Sequence, residues 1–337
     1  MNGARMSADM AAQPEVLRRL VERRGEIVAS LAGPEPAGIV VVARGSSDYA
    51  AIFARYLLEA VGGRPVALAA PSLVTLYGGE PRLAGWLALG ISQSGRTPEI
   101  ATVLERYRAA GARTVALTND PASPLAGGAD AHVELAAGEE RAVPATKTFT
   151  AQLAAVALVA EALGEVPWSA GDWEGLPAMV EELLGDPGPA ERAAEDLGDS
   201  EELISVGRGY LMCVALEAAL KLREATGVRA EGWSAADFRH GPVTVARGDI
   251  PLLAVSAAGP AAADVEELAE RLERTGTRVV RLADTPGASL PYPAGLAEPL
   301  CTLPATIRAQ QLALALALRR GLDPDEPPGL GKVTPTT

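Results

Sequence analysis

The 337-residue chain is poor in aromatic residues (4%), in cysteine (two), in histidine (two) and in positive charge, with 30 Lys and Arg against 43 Asp and Glu. Two cysteines, Cys213 and Cys301, both in apolar surroundings, are too few for a disulfide scaffold. The net charge of −13 repels a phosphate backbone, which excludes nucleic acid as a general partner. Long apolar runs are missing too. The longest, 305–318, is interrupted by Arg308, Gln310 and Gln311 and falls short of a membrane span. The first residues carry no apolar stretch of the signal-peptide kind. A soluble, cytoplasmic protein with no membrane partner is expected. No His/Cys/Asp group stands at metal-ligand spacing. Nor is there a G-x-G-x-x-G, a Walker lysine or a G-x-S-x-G elbow. No metal and no cofactor are expected.

What is present is 48% hydrophobic residue, dominated by Ala, Leu, Val and Gly, in a chain long enough for two domains that each bury a core. Small apolar residues suit helices packed closely on sheets. A helix over 13–32 precedes Gly38-Ile-Val-Val-Val-Ala43, a short β-branched run of the kind buried on both faces. Strand, glycine-and-serine turn and helix then repeat, with further strands expected at 86–91, 114–117 and 131–135. A long helix is expected over 146–163. The stretch 165–200 is rich in Pro, Gly, Asp and Glu and reads as a linker. Afterwards the pattern restarts, with strands expected at 203–206, 250–256, 278–282 and 299–303. Alternation of this kind predicts an α/β chain of two doubly wound parallel sheets in tandem, a duplicated fold. The expected bounds are a helical segment 1–33, a first domain 34–164, the linker 165–200, a second domain 201–320 and a tail 321–337.

Two strand-to-helix turns in the first half, Arg44-Gly-Ser-Ser-Asp48 and Ser92-Gln-Ser-Gly-Arg-Thr97, concentrate hydroxyls and glycine. In open α/β sheets, ligands bind beyond the carboxyl ends of strands, where helix starts offer unpaired N–H groups to anions. Ser46, Ser47, Ser92, Ser94 and Thr97 add short donors, and glycine permits close backbone approach. One such turn is equally well read as an ordinary helix cap. Two in succession point to a phosphate, of a sugar or of a nucleotide alike. In the second half, Glu217, Lys221 and Glu224 stand at i, i+4 and i+7, along one helix face. An exposed salt-bridged face is the ordinary explanation, but the residues between them, Ala218, Ala219 and Leu220, are apolar. Of the two histidines, His132 lies in a strand pattern and reads as structural. His240 lies in an irregular loop before Gly-Pro, where a proton-transfer role is more often found.

These segments, with Val143-Pro-Ala-Thr-Lys-Thr-Phe-Thr150, Gly207-Arg-Gly-Tyr210, 215–224 and Phe238-Arg-His-Gly-Pro242, resemble the signatures of the sugar isomerase (SIS) family. The resemblance covers nearly the whole chain. It is similar to the isomerase domain of glutamine-dependent glucosamine-6-phosphate synthases and to the SIS-type glucosamine-6-phosphate deaminases. It implies flavodoxin-like SIS domains. By the same resemblance, Ser46, Ser47, Ser92, Gln93, Ser94 and Thr97 hold a phosphate, and Val143 and Ala145 lie against the sugar. Glu224 moves a proton between C1 and C2, with Lys221 in the same cluster. His240 assists ring opening from a neighbouring subunit, which implies a homodimer with composite sites. The tail places Lys332 over the sugar as a lid.

Three departures from the synthase pattern stand out: no glutaminase domain with a terminal cysteine, Ala145 in place of serine, and Pro71-Ser-Leu73 in place of Ser-Glu-Phe. The first implies release of ammonia, hence isomerising deamination of glucosamine 6-phosphate to fructose 6-phosphate. The alternatives are a fructosamine 6-phosphate deglycase and, ranked below it, a non-catalytic phosphosugar sensor.

Overall fold

The computed structural model describes residues 2–246 and 248–331. Three short helices come first, α1 (Ala4–Ala11), α2 (Gln13–Glu22) and α3 (Arg24–Ser30). Then follow β1 (Ile39–Val42), α4 (Ser46–Gly62), β2 (Val66–Leu68), α5 (Pro71–Thr75), β3 (Leu87–Ile91) and α6 (Pro98–Ala109). β4 (Arg113–Thr118), α7 (Pro124–Gly128), β5 (Ala131–Glu134) and α8 (Lys147–Leu163) complete the first sheet and its helices. Next are α9 (Ala170–Gly185), α10 (Gly188–Leu197), β6 (Glu202–Gly207), α11 (Met212–Thr226), β7 (Arg229–Ser234) and α12 (Ala235–Arg239). The chain continues through β8 (Leu252–Val255), α13 (Ala262–Glu273), β9 (Val279–Ala283), β10 (Leu290–Pro291) and α14 (Thr302–Arg319).

These elements form two compact units. One holds the first sheet and comprises Glu15–Glu139 with Lys147–Ser169. The other holds the second sheet, together with the residues before Glu15 and the segment Glu140–Thr146. The chain therefore leaves the first-sheet unit for seven residues and returns to it. Both sheets are parallel throughout and have five strands among the described residues. Their orders are β2-β1-β3-β4-β5 and β10-β9-β8-β6-β7. Counted within each half, both read 2-1-3-4-5, the flavodoxin-like order, so the sequence-level duplication is a structural one. Val40, Val42 and Ala88 of the first sheet pack on Ile100, Val103 and Leu104 of α6. Ile204, Val206 and Leu252 pack on Val265 and Leu268 of α13 in the same way.

Several local expectations change. The helix expected over 13–32 is broken into α2 and α3, with α1 before them. The 165–200 stretch contains α9 and α10, whose Trp173, Leu176, Val180, Ala193 and Leu197 are buried. Residues 299–303 are not a strand: Leu300 N–H bonds to Ala297 O and Leu303 N–H to Leu300 O, the winding that leads into α14. A short apolar run fits a buried helix start as well as a strand, and Pro304 is tolerated in a first helical turn. Conversely, 229–234, where no strand was expected, is the edge strand β7, whose polar sequence hides it.

Candidate functional site

In the 2-1-3-4-5 order the strand direction of travel reverses between the first and third strands, and the crevice at their carboxyl ends is the natural ligand position. In the first sheet these strands are β1 and β3, paired from Ile39–Leu87 to Val42–Gly90. The two hydroxyl-rich turns leave from their carboxyl ends, and α4 and α6 start there. Gly45 caps α4 at φ 62°, ψ −138°, a conformation open to glycine, so Ser46 and Ser47 fall inside the helix's first turn rather than capping it. Thr97 precedes α6 with its hydroxyl making no capping bond. The capping explanation thus fails for Ser46, Ser47 and Thr97. Ser92 and Ser94 do brace their own turn, accepting from Gly95 N–H and Arg96 N–H, each at 3.2 Å. Gly95 sits at φ 62°, where a Cβ would come 2.2 Å from Ser123 Oγ. Gln93 and Ser94 are half-buried and Ser92 is buried.

Two contacts in this crevice were not read from the sequence. Gln152, on the apolar helix α8, donates its Nε2–H to Ser47 Oγ at 2.9 Å and so aims that hydroxyl. Arg44 forms a bidentate pair with buried Glu99 in the first turn of α6, at 2.9 and 3.0 Å. A glutamine among the alanines, leucines and valines of α8 and an acid at the second position of α6 were the available signals.

The second sheet repeats the framework with other chemistry. Arg208, after β6, reaches Asp264 in the first turn of α13 at 3.5 Å, the counterpart of the Arg44–Glu99 bridge. Here the crevice is lined by acids. Asp284, at the end of β9, accepts from Ala258 N–H at 2.9 Å. Glu298 lies so close that a Cβ on Gly259 would stand 2.3 Å from its Oε2. Burial first, and the charge of Asp284 second, push the Glu298 carboxyl up. The second crevice thus carries acids where the first carries hydroxyls.

On α11 of the same unit, Lys221 is fully buried with Glu217, and Glu224 is mostly so. α11 is enclosed by β6 and β7 on one side and α14 on the other. Lys221 Nζ lies 3.3 Å from Glu217 Oε1 and hydrogen-bonds Glu224 Oε2. Burial acts to strip the Lys221 proton, but the two carboxylates outweigh it and hold the ammonium charged. The stripe is therefore a buried cluster and not a solvated face. His240 follows α12 and is exposed, with its backbone N–H bonded to Asp237 O. Its side chain makes no hydrogen bond to the cluster among the described residues. Val143 and Ala145 are half-buried in the segment Glu140–Thr146. That segment is held in its unit by Asp9, which accepts from Arg141 and Ala142 N–H at 2.7 and 2.8 Å. Lys332 lies outside the described residues. His132 is structural: its ring meets Thr118 Oγ1 at 3.2 Å.

The sequence has only three lysines, Lys147, Lys221 and Lys332, among its 30 basic residues. Lys147 is buried, donating to Glu139 O at 2.6 Å.

The SIS domain model matches residues 35–162 and 196–296, one match on each sheet. The chain belongs to the SIS domain family. Among curated relatives of this SIS chain, the glutamine–fructose-6-phosphate aminotransferase (isomerizing) of Gloeobacter violaceus is 31% identical over 359 residues. The match covers 97% of this chain and 58% of that protein. The SIS chain spans little more than half the length of the curated relatives it matches. A solved structure from Silicibacter pomeroyi DSS-3, a candidate phosphosugar isomerase, is 32% identical with a TM-score of 0.84, covering 96% of this chain and all of that one. The glucosamine-6-phosphate deaminase of Thermotoga maritima shares the fold at a TM-score of 0.81 and 22% identity, over 99% and 100% of the two chains. No helix of the described residues is long and apolar enough to cross a membrane, and no group of three His, Cys, Asp or Glu among them could hold a metal ion.

Proposed function

We propose that this SIS protein isomerises and deaminates glucosamine 6-phosphate. The observation that carries the reading is the contrast between the two switch points: hydroxyls and two helix starts at the first, carboxylates at the second. A single phosphate then belongs at Ser46, Ser47, Ser92, Gln93, Ser94 and Thr97. Val143 and Ala145 lie against the sugar, and Lys332 closes over it. Once the ring is open, Glu224 takes the C2 proton while the C1 oxygen gains one, giving an enolamine. Glu224 returns its proton to C1, leaving a protonated imine at C2. Water adds there, and ammonia leaves as fructose 6-phosphate forms. Lys221 keeps the carboxylate oriented and its charge balanced through this exchange. Cys213 is buried and its thiol pushed far up, and that of Cys301 is pushed up to about 12, so neither thiol serves as a nucleophile in this reaction.

His240 is assigned to ring opening from a second copy of the chain in a homodimer. Its exposure and lack of a side-chain partner among the described residues support that assignment. The small side chain of Ala145 favours a second reading, a deglycase that releases a bulkier amine from a fructosamine 6-phosphate. Incubation with glucosamine 6-phosphate should yield fructose 6-phosphate and ammonia in equal amounts. Glu224→Gln should lower that rate at least about 10²-fold while leaving binding intact. Near-wild-type turnover by this variant would return Glu224 to a structural role. Inactivity of the wild type on this substrate, with turnover of a fructosamine 6-phosphate, would establish the deglycase. Mixed Glu224→Gln and His240→Ala dimers should regain one intact site in two. No recovery after proven subunit exchange would place each site within one chain.

A further inference from the structure

The short segment Glu140–Thr146 is tied at both ends by buried polar side chains, one from α1 and one from α14, all within the unit of the second sheet. Asp9 of α1, only 3% exposed, accepts from Arg141 N–H at 2.7 Å and from Ala142 N–H at 2.8 Å, both through Oδ2. At the other end Gln310 of α14, fully buried, donates its Nε2–H to Thr146 O at 3.1 Å. Gln310 Oε1 in turn accepts from the buried Gln13 Nε2–H at 2.8 Å, and Gln13 also donates to Met10 O of α1 at 3.2 Å. The segment is closed on itself as well. Glu140 Oε1 accepts from Thr146 N–H at 2.6 Å and from Thr146 Oγ1–H at 3.1 Å. Between the ties hang Val143, Pro144 and Ala145, of which Pro144 is buried while Val143 and Ala145 are half-buried. Met6 and Met10 supply the apolar packing of α1, and Asp9, its other buried residue, is turned to the segment. Buried polar groups are costly unless bonded, and their bonds are directional. Three of them converging on seven residues fix a backbone more closely than apolar packing does. Asp9, Gln13 and Gln310 all lie outside 35–162 and 196–296, the two SIS domains.

We propose that Asp9 is a positioning residue for the substrate: with Gln310 it sets the backbone of 141–146 so that Val143 and Ala145 are presented to the sugar. Helices α1 and α14, outside the two SIS domains, are then working parts of sugar recognition. This rests on the assignment of Val143 and Ala145 to the sugar made above. A clamp that only stabilised the fold would lower Tm and leave ligand selectivity as it is. A positioning clamp alters recognition of the sugar and not of the phosphate, which is assigned to other residues.

The test compares full-length wild type, Asp9→Ala, Asp9→Asn and Gln310→Met in Tm, in kcat and KM for glucosamine 6-phosphate, and in the Kd of inorganic phosphate. Asp9→Ala should lower kcat/KM about 10- to 100-fold, the scale of a small misplacement of the substrate. Its Kd for inorganic phosphate should stay within about twofold of wild type, as for independent sites. Asp9→Asn still offers a carbonyl oxygen to the Arg141 and Ala142 N–H groups and should lose less. Gln310→Met keeps the length of the side chain and gives up the tie at Thr146. It should show the same split between sugar and phosphate, and serves if Asp9→Ala folds poorly. Unchanged kcat/KM in the folded variants, or phosphate affinity falling in step with kcat/KM, overturns the proposal. A wild type that turns over a fructosamine 6-phosphate but not glucosamine 6-phosphate refutes the proposed reaction alone, and the same comparison is then read on that substrate. Turnover of neither overturns both.

Discussion

Lys221→Met tests the buried cluster on α11 most directly. Methionine keeps the length and most of the volume of the side chain, so packing against α14 and the sheet is retained and the loss is electrostatic. At the site, Lys221 Nζ stands between Glu217, 3.3 Å away, and the hydrogen-bonded Glu224, with Lys221 and Glu217 almost wholly excluded from solvent. Removing one partner of a buried ion pair costs about 3–5 kcal/mol, because the remaining charge is left without compensation. In a folding unit of 150–250 residues each kcal/mol shifts Tm by about 2–4 °C. The variant should therefore melt roughly 10 °C below wild type. The Lys221 proton is held more tightly in the folded chain than in the unfolded one. Its contribution is thus complete below the ordinary lysine value of 10.5 and is lost only as pH rises above it. The Tm gap should accordingly be flat between about pH 6 and pH 9. The triple variant Glu217→Gln, Lys221→Met, Glu224→Gln removes the charges together and should recover most of the loss, since neutral replacement of a whole buried group is often tolerated. Differential scanning calorimetry on the three proteins reads this out. Lys221→Met within about 1 kcal/mol of wild type would show that the cluster is hydrated and that the argument from burial is wrong.

Ser94→Ala should raise KM for glucosamine 6-phosphate far more than it lowers kcat, because a bond to the non-reacting phosphate is made equally in ground and transition states; steady-state kinetics that show the reverse would move Ser94 to the reacting end. Gly95→Ala should destabilise the chain by more than about 1 kcal/mol in urea denaturation, from a left-handed backbone and a Cβ pressed on Ser123 Oγ. It should also weaken binding of inorganic phosphate, and unchanged binding would separate the turn from the anion site. Burial, partly offset by the Thr118 hydrogen bond, holds the His132 imidazole below its ordinary 6.5. The unfolded chain therefore takes up that proton more readily, so stability is full above pH 6.5 and declines as pH falls below it. His132→Gln should flatten that decline, and an unaltered urea midpoint profile would assign it to other groups.

Much of this architecture is local in origin. β1 and β3 are β-branched or apolar runs buried on both faces, so their composition alone marks them as central parallel strands. The turns after them carry their glycines and serines in a few consecutive residues, and the i, i+4, i+7 spacing of Glu217, Lys221 and Glu224 is a property of any helix. Three of the four edge strands were not legible in this way. β7 covers only one neighbour and tolerates Arg229 and Glu231, while β2 and β10 span three and two residues. The acid–base stripe could be placed on one helix face from its spacing, but its burial came from α14 closing over α11, which no local pattern records. The same holds for Gln152 on Ser47, 105 residues apart, Arg44 on Glu99, 55 apart, and Asp325 on Arg5, 320 apart. Likewise, nothing in Glu298 as a residue says that it fills the second switch point. Local sequence determined the central strands and the turns that follow them, because backbone propensity and side-chain period act over a few residues. Tertiary structure decided which polar groups are buried, paired or aimed, because the free energy of a charge depends on what the rest of the chain packs around it.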